Sequence, residues 1–403
     1  MPDADDLADR LQAGDLSMYE LESHADPATA TAARREYLRR ATGTSLEAVG
    51  AFTVDPAAAE SNVENMVGAI QIPMGVAGPL SIRGSAAAGE YHLPLATTEG
   101  ALVASINRGC SALDEAGGVT ARVTKNGMTR APVFQVHDVA EGQAVAEWVR
   151  DNEDRLARAA ATTTDHGELQ WVRPYVVGDS VFVRFSYDTK DAMGMNMATI
   201  ATGAAADLIE DETTAELVSL SGNLCTDKKP AAINAVEGRG RSVTADARIP
   251  REVIADRFDT TPEAIAAVNT RKNLTGSAKA GSLGFNAHVA NVVAGMFLAT
   301  GQDPAQVVEG ANAITTVEAR RDELYASVSL ASLELGTVGG GTGLPTQSDG
   351  LDLLGLAGGG DPPGSNADAL AEVVAAAALA GELSLLAALA SRHLASAHED
   401  LGR

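Results

Sequence analysis

The run VVAAAALAGELSLLAALA, residues 373–390, constrains the fold more than any other segment. Alanine and leucine are strong helix formers, and here apolar residues occupy every side of the helix instead of one stripe. A helix that is apolar all round has to be enclosed. Lipid would be one enclosure, but Gly381 and Glu382 break the run, and a buried helix explains it better than a membrane span. The segment reads as the centre of a large domain, on a last helix predicted over about 366–398. The rest of the chain must supply the layers that wrap it.

Residues 1–60 are polar and helical, with spacers at Gly14 and ADPATA. Residues 61–130 open with loops and short strands around Pro73, Gly75, Gly78 and Pro79. A helix follows, with Thr97 or Thr98 as its cap; it runs to about Glu115, where Gly117-Gly118 stops it. Between 131 and 219 the pattern changes. PVFQVHDV and SVFVRFSYD alternate as strands, QAVAEWVRDNEDRLARAAATT is one amphipathic helix, and ATIATGAAADLIEDE is a second. This compact β-α-β unit is inserted into a larger domain, which resumes at 220 with the helices TPEAIAAVNTRKNL and NAHVANVVAGMFLATG and the strand LYASVSLASLEL. The expected class is α+β, mixed α/β: a large helical domain (61–130 and 220–403) round the long central helix, with a small domain (131–219) inserted.

A net charge of −24 repels nucleic acid and anionic membranes, so neither is expected as a partner. The acids are scattered along the chain, alanine and glycine are abundant, and aromatics are only 4%. That composition points to high salt, where charge is screened within about 3 Å at 1 M. Cys110 and Cys225 are too few for a disulfide framework, and reduced thiols are expected. The start MPDADDLADR has neither the basic end nor the apolar core of a signal peptide. A cytoplasmic protein is expected.

Lysine is scarce, six against 24 arginines, yet Lys228 and Lys229 stand side by side in LCTDKKP. Adjacent ammoniums disfavour one another unless an anion or Asp227 compensates. In DAMGMNM, residues 191–197, Asp191 can start a turn, Gly194 allows tight backbone, and the helix start that follows offers free N–H groups to a phosphate. A plain strand–turn–helix link has the same spacing. GTVGGGTGLP, residues 336–345, allows close approach of a phosphate or ribose to the backbone, or is a flexible loop. Neither is the G-x-G-x-x-G fingerprint, and a conventional Rossmann domain is not expected. In GQDPAQ, Asp303, Pro304 and Gln306 spell a helix start by themselves, and Glu99 after two threonines suits a helix N-terminus. His393 and His398, five apart on a helix, point about 140° apart. No other spacing resembles a zinc site, so no metal is expected.

Taken together, these segments resemble the class I hydroxymethylglutaryl-CoA reductases of eukaryotes and archaea. The resembling residues are ENMVGAIQIPMGVAGPL (64–80), TTEGALVASINRGC (97–110), GMTRAPV (127–133), DAMGMNM, SGNLCTDKKPAAIN (221–234), KNLTGSA (272–278), NAHVAN (286–291), GQDPAQ (301–306), GTVGGGT (336–342) and His398. DAMGMNM and the DKKP loop fit class I better than class II, and nothing corresponds to the membrane domain of the eukaryotic relatives. The resemblance implies reduction of hydroxymethylglutaryl-CoA to mevalonate and free CoA by two NADPH, in the mevalonate pathway to isoprenoid lipids. It also implies that the inserted domain is ferredoxin-like and holds NADP, and that active sites form between subunits of a homodimer or a dimer of dimers.

Residue by residue, Lys228 resembles the catalytic lysine that holds the oxyanion. Glu99 resembles the general acid of the aldehyde step, and Asp303 the carboxylate bridging Glu99 and Lys228. His398 resembles the donor that protonates the departing thiolate. Arg130, Ser221, Lys229 and Lys272 are implied around the substrate's terminal carboxylate, with Asn223 and Asp227 positioning the loop. Glu64, Asn65, Ser105, Asn107, Arg108, His288 and Asn291 are further implied substrate contacts. Asp191, Ala192, Met193, Gly194, Met195 and Asn196, with Gly336, Thr337, Val338, Gly339, Gly340, Gly341 and Thr342, are the implied cofactor contacts. Two positions depart from the family. Ser111 stands where arginine is frequent, which removes or moves one contact to a CoA phosphate. Thr164-Asp165 falls where eukaryotic relatives carry Ser-Arg near the cofactor's 2′-phosphate, so an aspartate there weakens the preference for NADPH. The serine that follows the catalytic histidine in eukaryotic relatives is absent, and phosphorylation there is not expected.

Overall fold

In a computed structural model of the chain, residues 2–164 and 166–391 are described. Ten strands are numbered here in chain order: β1 Met74–Arg83, β2 Ala88–Ala96, β3 Val119–Arg130, β4 Val133–Gln135, β5 Glu168–Val177, β6 Ser180–Asp188, β7 Glu216–Ser219, β8 Gly240–Pro250, β9 Ala313–Ala319 and β10 Glu323–Leu333. They join in the order β7-β4-β6-β3-β8-β10-β9, with β5 on β6, β1 on β3 and β2 on β1.

The central helix, described over Ser365–Ala390, packs on β3, β8 and β10 and on the helices Leu102–Glu115 and Val289–Ala299. It is the described helix long and apolar enough to cross a membrane, and protein encloses it. Its alanines let neighbours come close. A Cβ on Gly109 would sit 2.0 Å from the Ala380 carbonyl oxygen, so the helix Leu102–Glu115 crosses it backbone to backbone. The two glutamates of this helix, Glu372 and Glu382, are buried anchors. Glu372 accepts the amides of Ser85, Ala86 and Ala87 at the β1–β2 turn. Glu382 accepts the amides of Ala287 and His288 and the hydroxyl of Thr315. Each carboxylate is desolvated only where several donors receive it. In β10 the residues Leu324, Ala326, Val328 and Leu330 turn into the same core, as the alternation in LYASVSLASLEL requires.

β4, β5, β6 and β7 form an antiparallel sheet ordered β7-β4-β6-β5, with helices Val139–Asp151, Glu153–Ala161 and Met195–Glu212 in the crossovers. That order is the ferredoxin-like split βαβ arrangement. It has its own core, with Phe134, Val145, Leu156, Val183, Phe185, Tyr187 and Ile209 buried. A third, small cluster of Leu7, Leu11, Leu21, Ala30 and Ala33 closes the N-terminal helices on themselves.

Three local expectations change. The helix predicted to start at Thr97 or Thr98 starts at Leu102, after Ala101 in the left-handed region (φ 69°). The Thr97 hydroxyl takes the Glu99 N–H two residues on, a local turn that competes with a helix cap. The single helix read across QAVAEWVRDNEDRLARAAATT divides at Asn152, whose carbonyl receives the N–H groups of Arg155 and Leu156 and starts a new helix. The segment TRKNL, read as the end of the helix TPEAIAAVNTRKNL, lies in a π-helical turn over Thr270–Gly276.

Candidate active site

The loop after β7 carries DKKP in an unusual backbone. Asn223, Thr226 and Lys228 all have positive φ, at 62°, 61° and 58°. Non-glycine residues reach this region at a cost of about 1–3 kcal/mol each, so surrounding contacts must hold them. Thr226 is buried, and its hydroxyl donates to Asn234. The Cys225 carbonyl accepts the Thr129 hydroxyl at 3.2 Å. Lys228 N–H donates to Glu309 Oε1 at 2.8 Å. The Lys228 side chain emerges 46% exposed, and its ammonium lies 3.0 Å from Asp303 Oδ2. Asp303 serves two ends at once, since its Oδ1 accepts the Ala305 N–H at the start of the turn Pro304–Gln306. The cap geometry and the ion pair coexist on the two oxygens of one carboxylate.

Beneath the loop sits Arg239, fully buried. It reaches Asp227 at 3.0 Å, Glu309 at 3.1 Å and Glu334 at 3.3 Å, and Gln306 bonds to both Asp227 and Arg239. Three carboxylates face one guanidinium. Burial pushes the carboxyls of Glu309 and Glu334 well above the ordinary range, opposed by Arg239. Arg239, Glu309 and Glu334 went unread in the sequence. The available signal was EGRGRS, an arginine between two glycines at a strand start. Gly238 and Gly240 have φ of 76° and 67°, and a Cβ on Gly240 would sit 2.4 Å from the Leu333 carbonyl.

Glu99 is exposed, and among the described residues its carboxylate has no hydrogen bond or ion pair. The chain thus brings Lys228 and Asp303 together and leaves Glu99 apart from them. Lys229 is exposed and donates to the Asp227 carbonyl. Arg130 Nε is buried without a partner among the described residues, and Ser221 Oγ lies 3.7 Å from Cys225 Sγ. Lys272 rides on the π-helical turn, the kind of irregularity that often marks function. His288 starts the helix Val289–Ala299, beside Asn291, with its Nε2 buried and unpaired among the described residues. Ser105 and Arg108 both meet Ser384 of the central helix, at 3.0 Å and 3.1 Å. Asn107 accepts the Gly78 N–H, and Ser111 bonds back to the Asn107 carbonyl. Glu64 is exposed, and Asn65 adopts φ 53° with a buried Oδ1 that has no partner among the described residues. His398, His393 and Asp165 lie outside the described residues.

The two glycine-bearing segments meet. Ala192 bridges Val338 as in a parallel ladder, and the Asp191 carbonyl accepts the Thr337 N–H at 2.8 Å. A Cβ on Gly336 would lie 2.4 Å from Met193 N, and one on Gly341 would lie 2.7 Å from the Gly301 carbonyl, so these two glycines serve packing. Gly339 and Gly340 differ, being exposed with open space where a Cβ would project. The Asp191 carboxylate is buried and turned to the amides of Gly360, Gly364 and Ala367, where it caps the central helix. The helix Met195–Glu212 starts at Gly194 (φ 80°), which has no side chain to cap it, so its first-turn N–H groups have no cap among the described residues. Met195 Sδ accepts from Arg239 and ties this helix to the DKKP loop.

The family described as hydroxymethylglutaryl-coenzyme A reductase matches residues 30–403. The chain belongs to the hydroxymethylglutaryl-CoA reductase family. Among its relatives, 3-hydroxy-3-methylglutaryl-coenzyme A reductase of Haloferax volcanii is 70% identical, with 100% of both chains covered. The enzyme so named in Halobacterium salinarum is 71% identical, again over 100% of both. The Pyrococcus abyssi protein is 52% identical over 99% of each. These relatives place the chain with the halophile archaeal type that its acidic composition suggested. The class II reductase of Streptococcus pneumoniae, solved bound to NADPH in open conformations, superposes with a TM-score of 0.68 at 21% identity, covering 93% of this chain and 100% of that one. At that identity the likeness shows a common α+β fold.

Proposed function

We propose that this chain reduces (S)-3-hydroxy-3-methylglutaryl-CoA to mevalonate and free CoA, consuming two NADPH, as the reductase of a mevalonate pathway for isoprenoid lipids. The observation that carries the reading is the Lys228–Asp303 pair at 3.0 Å, on a strained loop, in a chain of this family. NADPH supplies the hydride. The exposed backbone at Gly339-Gly340, joined through Val338 to the uncapped helix start at Gly194–Asn196, suits the phosphates of such a dinucleotide.

The protein's own groups do the rest. The Lys228 ammonium polarises the thioester carbonyl and holds the oxyanion, first of the thioester and then of the aldehyde. Asp303 keeps that ammonium in place. Glu99 delivers the proton to the aldehyde oxygen, and His398 protonates the CoA thiolate so that it does not add back. Arg130, Lys229 and Lys272, with Ser221, neutralise the substrate's carboxylate. His288, Asn291, Ser105, Asn107 and Arg108 complete the substrate wall.

The site is completed by a second copy of the chain, in a homodimer or a dimer of dimers. Two features support this: Glu99 is exposed and has no partner among the described residues, and ENMVGAIQIPMGV leaves Ile70, Met74 and Val76 exposed. The large domain spans 61–130 and 220–403, with the cofactor on the inserted 131–219. The enzyme works in the cytoplasm. The test is stoichiometric, with NADPH and NADH run side by side. Two NADPH oxidised per CoA released is the expected result, and one NADPH per CoA, with aldehyde accumulating, refutes the reading.

A further inference from the structure

We infer that Glu309 is the positioning residue for Lys228, clamping its peptide N–H while Asp303 holds its ammonium. The inference rests on the reading of Lys228 as the oxyanion cation. Both contacts come from one short segment. Asp303 precedes the turn Pro304–Gln306, and Glu309 lies on the single helical turn Val307–Gly310 that continues it. Lys228 is therefore gripped at two ends by a piece of chain whose internal geometry is fixed.

The backbone end needs such a grip. Lys228 has φ 58°, in a region that residues other than glycine avoid. Its bond to Glu309 Oε1, at 2.8 Å, is the hydrogen bond its backbone makes among the described residues. Without it, the peptide between Asp227 and Lys228 is free to turn, and the ammonium, half in solvent, follows.

Glu309 itself is built in. It is 0% exposed, and its Oε1 also receives Arg239 at 3.1 Å. Arg239 holds Asp227, the residue before the lysine, so the same cluster fixes both residues. Glu309 Oε2 is buried without a partner among the described residues. An oxygen in that setting accommodates a proton, and burial raises this carboxyl accordingly. The clamp thus needs an oxygen acceptor at Oε1 and does not need a charge.

That distinction gives the test, made on the assembled enzyme in high salt. Glu309→Gln keeps the acceptor, and Glu309→Met keeps the volume without it. A misplacement of 1 Å can cost about 100-fold in rate, so Glu309→Met is expected to lose roughly 10- to 100-fold in kcat with little change in KM for hydroxymethylglutaryl-CoA. Glu309→Gln should stay within about threefold of the parent. Amide exchange in a peptide covering 226–229 should quicken about tenfold in Glu309→Met, remain slow in Glu309→Gln, and be unchanged in the central helix of both. Unchanged kcat and exchange in Glu309→Met overturn the inference. So does Glu309→Gln, if it loses kcat as Glu309→Met does or fails to fold. If the parent itself does not reduce hydroxymethylglutaryl-CoA, the functional reading fails, and the exchange rates alone decide whether Glu309 clamps Lys228.

Discussion

Asp303 carries two jobs on two oxygens, and substitution can separate them. Asp303→Asn would still cap the turn Pro304–Gln306, because asparagine is as good a cap as aspartate. Asp303→Ala removes cap and charge together, and a lost cap costs about 1 kcal/mol. The ion pair to Lys228 adds little to stability. At 3.0 Å, with side chains 46% and 27% exposed, a water-like dielectric gives about 1.4 kcal/mol before screening. Side-chain ordering and salt reduce that to about 0–1 kcal/mol. Asp303→Asn should therefore melt within about a degree of the parent in 2 M KCl, and Asp303→Ala should melt about one to two degrees lower, since about 1 kcal/mol is a small shift in a chain this long. Activity should follow a different order. Both variants lose the group that holds the ammonium at the oxyanion, so both should fall about 100-fold or more in kcat. The assay pairs thermal scans with steady-state rates on hydroxymethylglutaryl-CoA. If Asp303→Asn keeps the parent's rate as well as its melting temperature, Asp303 is a helix cap and its pairing with Lys228 has no catalytic role.

Gly109→Ala would put a methyl 2.0 Å from the Ala380 carbonyl, in backbone that cannot yield locally; overpacking of this kind costs about 1–3 kcal/mol or more, so the variant should melt several degrees lower or fail to fold, and a parent-like melting curve would refute the backbone crossing. Stability should fall as pH rises through neutrality. Burial lifts the Glu309 carboxyl from its ordinary value near 4.5 to about 7, so between those values the folded chain binds the extra proton and the slope of stability with pH is negative. The contribution is full below about 4.5 and lost as pH passes about 7, and Glu309→Gln should flatten the slope over pH 5–8 in denaturant titrations. An unchanged slope would show that Glu309 titrates normally. Salt should raise the melting midpoint from about 0.1 M KCl upward, because the repulsion of a −24 chain shortens in range from about 10 Å at 0.1 M to 3 Å at 1 M; a flat or falling midpoint contradicts the halophile reading.

Sequence pattern was informative where a structural cause is local. The central helix was legible because no face of it is polar, and β10 because Leu324, Ala326, Val328 and Leu330 alternate with smaller or polar residues. Of the inserted unit's strands only PVFQVHDV and SVFVRFSYD were legible; β5 and β7 went unread, and the ferredoxin-like order came from the resemblance. The break at Asn152 was not legible, since no glycine or proline marks it and the Asn152 side chain makes no cap bond, donating instead to the Trp148 carbonyl. The start at Leu102 was missed because Thr97 bonds to the nearer N–H of Glu99. In the site, Lys228 stood out through lysine's scarcity, and Asp303 makes the cap its spacing suggested and the Lys228 half of the bridge the resemblance implied, without the Glu99 half among the described residues. Arg239, Glu309 and Glu334 stayed hidden because their pairing joins residues about 70 to 100 positions apart in the chain, and no local spacing records it. Asp191 shows the reverse limit: its place in DAMGMNM suggested a cofactor contact, while its carboxylate caps the central helix more than 170 residues away.

The most direct measurement is the turnover of Lys228→Ala on two substrates, hydroxymethylglutaryl-CoA and mevaldehyde. Each reduction builds negative charge on a carbonyl oxygen, and the Lys228 ammonium, held 3.0 Å from Asp303, is the cation assigned to both. Loss of one such donor costs about 100- to 1,000-fold in rate. Both activities should fall at least that far, while substrate affinity falls less, since Arg130, Lys229 and Lys272 remain. Substantial turnover of either substrate by Lys228→Ala would contradict the assignment of the oxyanion site.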